Sequence, residues 1–289
     1  MLNISQLKPG FHAAVLAVTL ISSSFAAEST PPAASLHDML PKRVQDSGVI
    51  KVGSPKTFPP DVFLKGDQLV GIAVDMSRAM EPILGVKFDW QDMQWPGIIP
   101  GLQSGSIDLT WGILSYLPER AKMLNMIPFQ KDLIGALVQP NVKNFTGANN
   151  DLCGLKVAGL QGTSYVALTN GVSDECVKQN KAAIQHQIYS NNGTALVAFQ
   201  SRNVEVLITS YYTAVDYNKG SNGQYKVVPL YGMTAAPITI ATAKSEDKLA
   251  DAIDAALTVL VKNGTYQKIM TSYGMGPAIL PPSEMVVRR

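Results

Sequence analysis

Arg120 stands where a cation is poorly placed. In Leu117-Pro118-Glu119-Arg120 the proline suits the first turn of a helix, because its missing N–H has no helical partner there in any case, so Glu119 and Arg120 fall at a helix N-terminus. The positive end of the helix dipole disfavours a cation by about 0.3–1 kcal/mol unless an anion shares the spot. Two readings are open: an Arg that meets a bound anion such as a carboxylate, or a surface Arg paired with a nearby acid. Glu119 cannot be that acid, since adjacent helical residues do not face each other. A second anion-friendly helix start follows Gln161-Gly162, where Thr163 or Ser164 serves as N-cap and leaves hydroxyls and N–H groups exposed.

The elements that carry these residues can be read from pattern. Ile107, Leu109 and Trp111 alternate with polar partners, which is strand period, and Gly112 then lets another group approach the backbone closely. Before it, residues 49–53 read as a β-branched strand running into a rigid proline-bearing loop, 69–76 as a stretch leading into a helix that ends near Gly85, and 86–90 as a strand. Trp95, Ile98, Ile99 and Leu102 mark one apolar helix face, closed by Gly105. Residues 133–139 read as a further strand, and the polar stretch 140–150 as a crossing point. A second α/β unit follows, with strands at 155–160, 182–190, 204–209 and 227–231 and a helix at 194–202. Residues 238–243 read as the return to the first unit, and Leu249, Ile253, Leu257, Leu260 and Val261 as one stripe of a closing helix. This alternation predicts α/β architecture with mostly parallel sheets and ligands beyond the carboxyl ends of the strands. The expected organisation is a leader at 1–26, lobe 1 at 27–138 with 236–289, and lobe 2 inserted at 139–235. Two lobes on a double hinge are built to close on a ligand.

Ile107-Asp108, Ser115 and Pro118-Glu119-Arg120 together resemble the core signature of the family 3 solute-binding proteins, the periplasmic receptors of polar amino-acid ABC transporters. The resemblance runs from about Gly48 to Gly276 and implies the two-lobed type II periplasmic-binding-protein fold with two crossing strands. It also implies that Arg120 grips the α-carboxylate of an amino acid or amino-acid-like ligand, with the Ser115 hydroxyl beside it. By the same resemblance Phe58 stacks over the ligand, Trp95 supplies a wall, and Thr163 and Ser164 reach the carboxylate from the second lobe. For Phe58 and Trp95 the competing reading is plain core packing. Trp111 reads as core, and Tyr211 and Tyr212 as either cleft or surface. Lys262-Asn263-Gly264-Thr265-Tyr266 resembles a further signature of the family, as structure.

Two positions depart from the family pattern. Most amino-acid binders place an Asp at the end of the strand 204–209 to accept the ligand's ammonium, and here that place falls on Ser210; a second hydroxyl beside the Arg motif falls on Ile113. A buried ammonium without a carboxylate loses about 1.5–3 kcal/mol, roughly ten- to a hundredfold in affinity. The expected ligand is therefore a small carboxylate whose cationic part is weakly charged, substituted or absent. Asp61 or Glu205 from nearby loops, or the aromatic ring faces, are the other ways to hold a cation.

Composition narrows the class further. Lys8 precedes an apolar run from Phe11 to Ile21, and Ser24-Phe25-Ala26 offers small residues at both positions a signal peptidase reads, which predicts export with cleavage after Ala26. The alternative, an uncleaved anchor, needs a longer run, since about 20 apolar residues span a bilayer. The chain carries 24 Lys+Arg against 22 Asp+Glu without a basic run, which argues against nucleic acid or an anionic membrane as partner. Its expected partners are the small ligand and an inner-membrane permease, with the chain itself a monomer. Disorder is expected only at about 27–36 and after Pro281. In an oxidising compartment Cys153 and Cys176, the only cysteines, are expected to form one disulfide. Two Cys and three scattered His offer no metal-ligand spacing, and no cofactor is implied. No Gly-x-Ser-x-Gly elbow occurs. The competing function is a periplasmic enzyme on the same fold, similar to the cyclohexadienyl dehydratases of aromatic amino-acid synthesis, which needs a positioned acid or base in the cleft. A receptor that serves a membrane sensor in place of a permease is the third.

Overall fold

The computed structural model describes residues 33–288; the expected leader, its cleavage site and residues 27–32 lie outside the described residues. Helices α1 (Ala33–Met39) and α2 (Lys42–Ser47) open the chain, so the segment expected to be disordered up to 36 is helical from Ala33. Next come β1 (Val49–Ser54), β2 (Thr57–Phe58), β3 (Val62–Lys65), β4 (Gln68–Val70), α3 (Ile72–Leu84), β5 (Lys87–Asp92), α4 (Ile98–Ser104), β6 (Leu109–Ser115), the single turn α5 (Pro118–Ala121) and β7 (Leu124–Gln130). The second part holds β8 (Ile134–Val138), β9 (Lys156–Leu160), α6 (Ser164–Lys178), β10 (Gln185–Tyr189), α7 (Asn192–Gln200), β11 (Val206–Ser210), α8 (Tyr211–Gly220) and β12 (Lys226–Pro229). The chain closes with β13 (Ile238–Ala243), α9 (Asp247–Lys262) and α10 (Thr265–Ser272).

Two five-stranded sheets organise the molecule, in the orders β5-β1-β6-β13-β7 and β10-β9-β11-β8-β12. Each is half parallel and half antiparallel, because β13 and β8 enter their sheets against the direction of the βαβ strands. The expectation of mostly parallel sheets is corrected accordingly. So is the placement of strand 133–139: β8 pairs with β11 and β12 and belongs to the second sheet, so the chain crosses between lobes at 131–133 and not at 140–150. It returns between β12 and β13.

The first sheet buries Ile50, Val52, Leu109 and Trp111 against Ile72, Met76 and Met80 of α3 and Leu249, Ile253 and Leu257 of α9. Trp111 stacks edge-on with Phe88 and Phe129, each centroid 6.1 Å away, and is a core residue. Asp108 of the Arg motif is structural: buried, it accepts the Lys51 N–H at 2.8 Å and an Arg43 Nη1–H at 2.5 Å, tying β1 and α2 to the start of β6. The C-terminal segment, expected to be loose, is held against β7 through bridges from Ile279 to Gln130 and from Arg288 to Met126, and Arg288 lies over the Tyr116 ring at 4.7 Å. In the second lobe Cys153 and Cys176 are joined, closing a separation of 23 residues, with Cys176 fully buried on α6.

Candidate ligand site

A cavity opens at the meeting of the two lobes, lined from the first by Phe58, Asp61, Trp95, Gly112, Ser115, Arg120, Gln130 and Ile238, and from the second by Thr163, Ser164, Tyr165, Ser210 and Thr213. It measures about 20 Å³, room for about one water molecule, so the lobes meet closely over it. Of the residues singled out from sequence, Phe58, Trp95, Gly112, Ser115, Arg120, Thr163, Ser164 and Ser210 converge here. The side chain of Ile113 lies outside the described residues. Tyr211 and Tyr212 stack on each other, 5.7 Å apart, and do not line the cavity.

Arg120 departs from the surface ion-pair reading. Pro118 opens α5 and turns Arg120 inward, where it is 7 % exposed. Its guanidinium donates from Nη1 to the Ser115 carbonyl at 2.9 Å and from Nη2 to the Gly162 carbonyl of the other lobe at 2.7 Å. Among the described residues it forms no salt bridge. Burial lowers its pKa and the charge of Glu119 offsets this only in part. A guanidinium does not deprotonate in a protein, so the buried positive charge persists and a bound anion would lower its energy.

The facing lobe presents the start of α6. Thr163 occupies the N-cap, but its hydroxyl donates to the Leu160 carbonyl at 2.8 Å and caps nothing. The Ser164 hydroxyl meets that of Ser115 at 3.3 Å. The first-turn N–H groups of a helix have no intrahelical partner, so this start suits the same anion as Arg120. Phe58 and Trp95 form a tilted pair with centroids 6.5 Å apart, packed with Leu160 of the second lobe. Trp95 Nε1 approaches so closely that a Cβ on Gly162 would lie 3.1 Å from it. Gly112, at φ 108°, allows the approach expected of it: a Cβ there would meet Val62 Cγ2 at 3.2 Å and Asp61 Cβ at 3.3 Å.

Of the two acids considered as partners for a cation, one lies in the cleft. Asp61, held between β2 and β3, lines the cavity at 5 % exposure. Burial pushes its pKa well up, against a hydrogen bond from Gln130, with Asp132 adding to the rise. Glu205, the other acid considered, accepts the Lys156 N–H at 3.0 Å and belongs to a different surface pocket. Asp132, just before β8, was missed. It accepts the Tyr165 hydroxyl at 2.5 Å, the Leu133 N–H at 2.9 Å and the Ser210 hydroxyl, and burial outweighs these bonds to raise its pKa. Ser210, at the end of β11, pairs antiparallel with Ile134, which brings its hydroxyl to Asp132. That register, and not any local motif, would have revealed it.

Comparison with known proteins agrees with this geometry. Residues 50–276 match the pattern of the bacterial extracellular solute-binding proteins, family 3. The arginine-binding protein ArgT of Corynebacterium glutamicum is 28 % identical over 256 residues, covering 86 % of this chain and 82 % of the relative. The L-cystine-binding protein TcyJ of Escherichia coli is 25 % identical over 229 residues, covering 78 % and 83 %. An ancestral arginine-binding protein bound to glutamine superposes with a TM-score of 0.70 at 29 % identity, over 79 % of this chain and 98 % of that one. With the Arg motif at the mouth of two crossed lobes and the match spanning most of its length, the chain belongs to the bacterial extracellular solute-binding proteins, family 3.

Proposed function

We propose that this chain is the solute-binding component of an ABC importer and captures an amino acid or amino-acid-like small carboxylate by closure of its two lobes. The observation that carries this reading is the buried, ion-unpaired Arg120 that already reaches across to Gly162 of the other lobe. A ligand carboxylate can take charge-assisted hydrogen bonds from its guanidinium and from the α6 N-terminus at once, so binding itself draws the lobes together. The relatives named for arginine and cystine binding support the ligand class. The finer reading is export with removal of residues 1–26, a periplasmic monomer, and docking on a permease; among the described residues no helix is long and apolar enough to cross a membrane.

A thermal-shift screen of refolded, ligand-stripped protein against amino acids, betaines and nitrogen-free carboxylates tests the reading. A ligand at 100 times its Kd adds about 2.7 kcal/mol of stability. Stabilisation by at least one carboxylate class is expected, and a flat profile across all of them contradicts the proposal. A second reading, an enzyme, is favoured by the buried Asp61 in the cleft, whose pKa burial pushes up, since such chemistry needs a positioned acid. Prolonged incubation with the hit should return the solute unchanged; a new product would favour the enzyme.

A further inference from the structure

A second cavity lies at the end of lobe 2 remote from the ligand cleft. Ser210 ends β11 in the cleft, whereas this cavity sits where β11 begins. It is lined by Gln139, Pro140 and Asn141 after β8, Arg202 after α7, and Val204 and Glu205 ahead of β11. Its volume is about 390 Å³, within the roughly 300–1,000 Å³ of small-molecule sites. We infer that this cavity is a second binding site, for a small molecule that carries both a carboxylate and N–H donors. The carboxylate pairs with Arg202, and the donors meet Gln139 Oε1 and Glu205 Oε1.

The backbone of Arg202 is the first observation. Among the described residues the non-glycine positions at positive φ are Asn144, Asn180, Asn222 and Arg202. Asparagine tolerates the left-handed region through its short polar side chain, and arginine has no such compensation. Arg202, at φ 62°, holds the position after the end of α7 that favours glycine: its N–H donates to the Phe199 carbonyl at 3.0 Å, and the Asn203 N–H to the Ala198 carbonyl at 2.9 Å. This cap uses backbone alone. Among the described residues the guanidinium makes no ion pair or hydrogen bond, so a sterically costly residue is kept whose side chain serves nothing within the chain.

The acceptors are the second. Gln139 is 2 % exposed, its Nε2 donates to the same Phe199 carbonyl, and its N–H donates to the Glu205 carbonyl at 3.0 Å. The Phe199 carbonyl fixes which end of the amide is used inside the lobe, and Oε1 is left without a donor at the cavity that the residue lines. Glu205 commits Oε2 to the Lys156 N–H at 3.0 Å and keeps Oε1. Arg202 and Glu205 do not pair with each other, so a lone anion would meet the Glu205 charge and a lone cation that of Arg202, whereas a zwitterion answers both. Val204 and Pro140 add an apolar floor. One carbonyl holds both Gln139 and the Arg202 backbone, and strand pairing holds Glu205, so the site is set before a ligand arrives.

Amide shifts of the ¹⁵N-labelled, refolded protein, titrated with L-glutamine, glycylglycine and glutarate, test this; glutarate is the carboxylate without N–H donors. L-glutamine or glycylglycine should saturably shift the amides of Gln139, Asn141, Asn203 and Glu205, equally in the wild type and in Arg120→Ala, where the cleft is silenced. Glutarate should bind there at least about tenfold more weakly. Arg202→Gly, which relieves the positive φ, should melt no lower than the wild type and bind the same probe at this site about ten- to a hundredfold more weakly. No saturable shift at these amides with any probe, glutarate binding as tightly as the zwitterions, or an Arg202→Gly affinity within about twofold of wild type overturns the site. So does a lower melting temperature of Arg202→Gly, which would show the side chain to be structural. Shifts confined to these amides, with none around Arg120, support this site and count against the cleft reading alone.

Discussion

At the scale of single residues, the site is a contrast between one buried cation and buried acids that do not pair with it. Arg120 donates its hydrogen bonds to backbone carbonyls of both lobes, while Asp61 keeps one buried oxygen, Oδ1, without a partner. The sign of the pH effect follows. The folded-state pKa of Asp61 is raised by burial above its ordinary value of 3.8, so the folded protein holds this proton more tightly than the unfolded chain does. Its stabilising contribution is fully present below 3.8 and is lost as pH rises through the raised value. Asp132 acts in the same direction. The melting temperature of ligand-free protein should therefore fall as pH is raised through this window, and Asp61→Asn, which cannot ionise, should flatten the fall. A wild-type profile of the same slope as the variant's would remove Asp61 from the account. Arg120 was legible from a local signal, a cation at a helix start, while Ser115, Phe58 and Trp95 were legible through the resemblance to the family. Asp61 entered only as one of several ways to hold a cation, and Gln130 and Tyr165 did not enter at all, since their convergence depends on how three separate elements meet.

At the scale of elements, alternation and helical period revealed β1, β13, α9 and the turn into α6, where β-branched runs or a 3.6-residue stripe are strong. They did not reveal β7. All seven of its residues are buried, so it shows no alternation, and Pro128 interrupts its pattern where the pairing of β13 with β7 shifts register. The sheet to which β8 belongs was likewise hidden, because an apolar run of five buried residues pairs equally well in either lobe until register decides. The disulfide is the covalent tie of the second lobe, anchoring the segment before β9 to α6, whose N-terminus faces the ligand cavity. Cys153→Ser with Cys176→Ser should cost about 3 kcal/mol by the chain-entropy account, read as a lower melting temperature that reducing agent reproduces in the wild type. An unchanged melting temperature on reduction would show that packing around Cys176 already holds α6.

At the scale of the whole molecule, the lobes meet through both polar and apolar contacts. Tyr217 of α8 donates its hydroxyl to the Thr57 carbonyl across the cleft at 2.9 Å, Arg120 reaches Gly162, Ser164 meets Ser115, and Phe58 and Trp95 pack on Leu160. Such an interface suits an equilibrium between open and closed forms that a ligand shifts by its differential affinity for the two. Tyr217→Phe removes one tie outside the cavity, so its radius of gyration by small-angle scattering should exceed that of the wild type without ligand and return to the wild-type value at saturation. Equal radii in both states would assign Tyr217 no part in closure. The central claim, that Arg120 holds the ligand's carboxylate, is tested most directly by isothermal titration of the wild type, Arg120→Lys and Arg120→Ala with the solute that the stability screen selects. The account predicts a loss of about a hundredfold or more in Arg120→Ala, with Arg120→Lys intermediate because a point charge replaces a two-pronged donor. Affinity of Arg120→Ala within a few-fold of the wild type, in a variant that melts cooperatively, would contradict it.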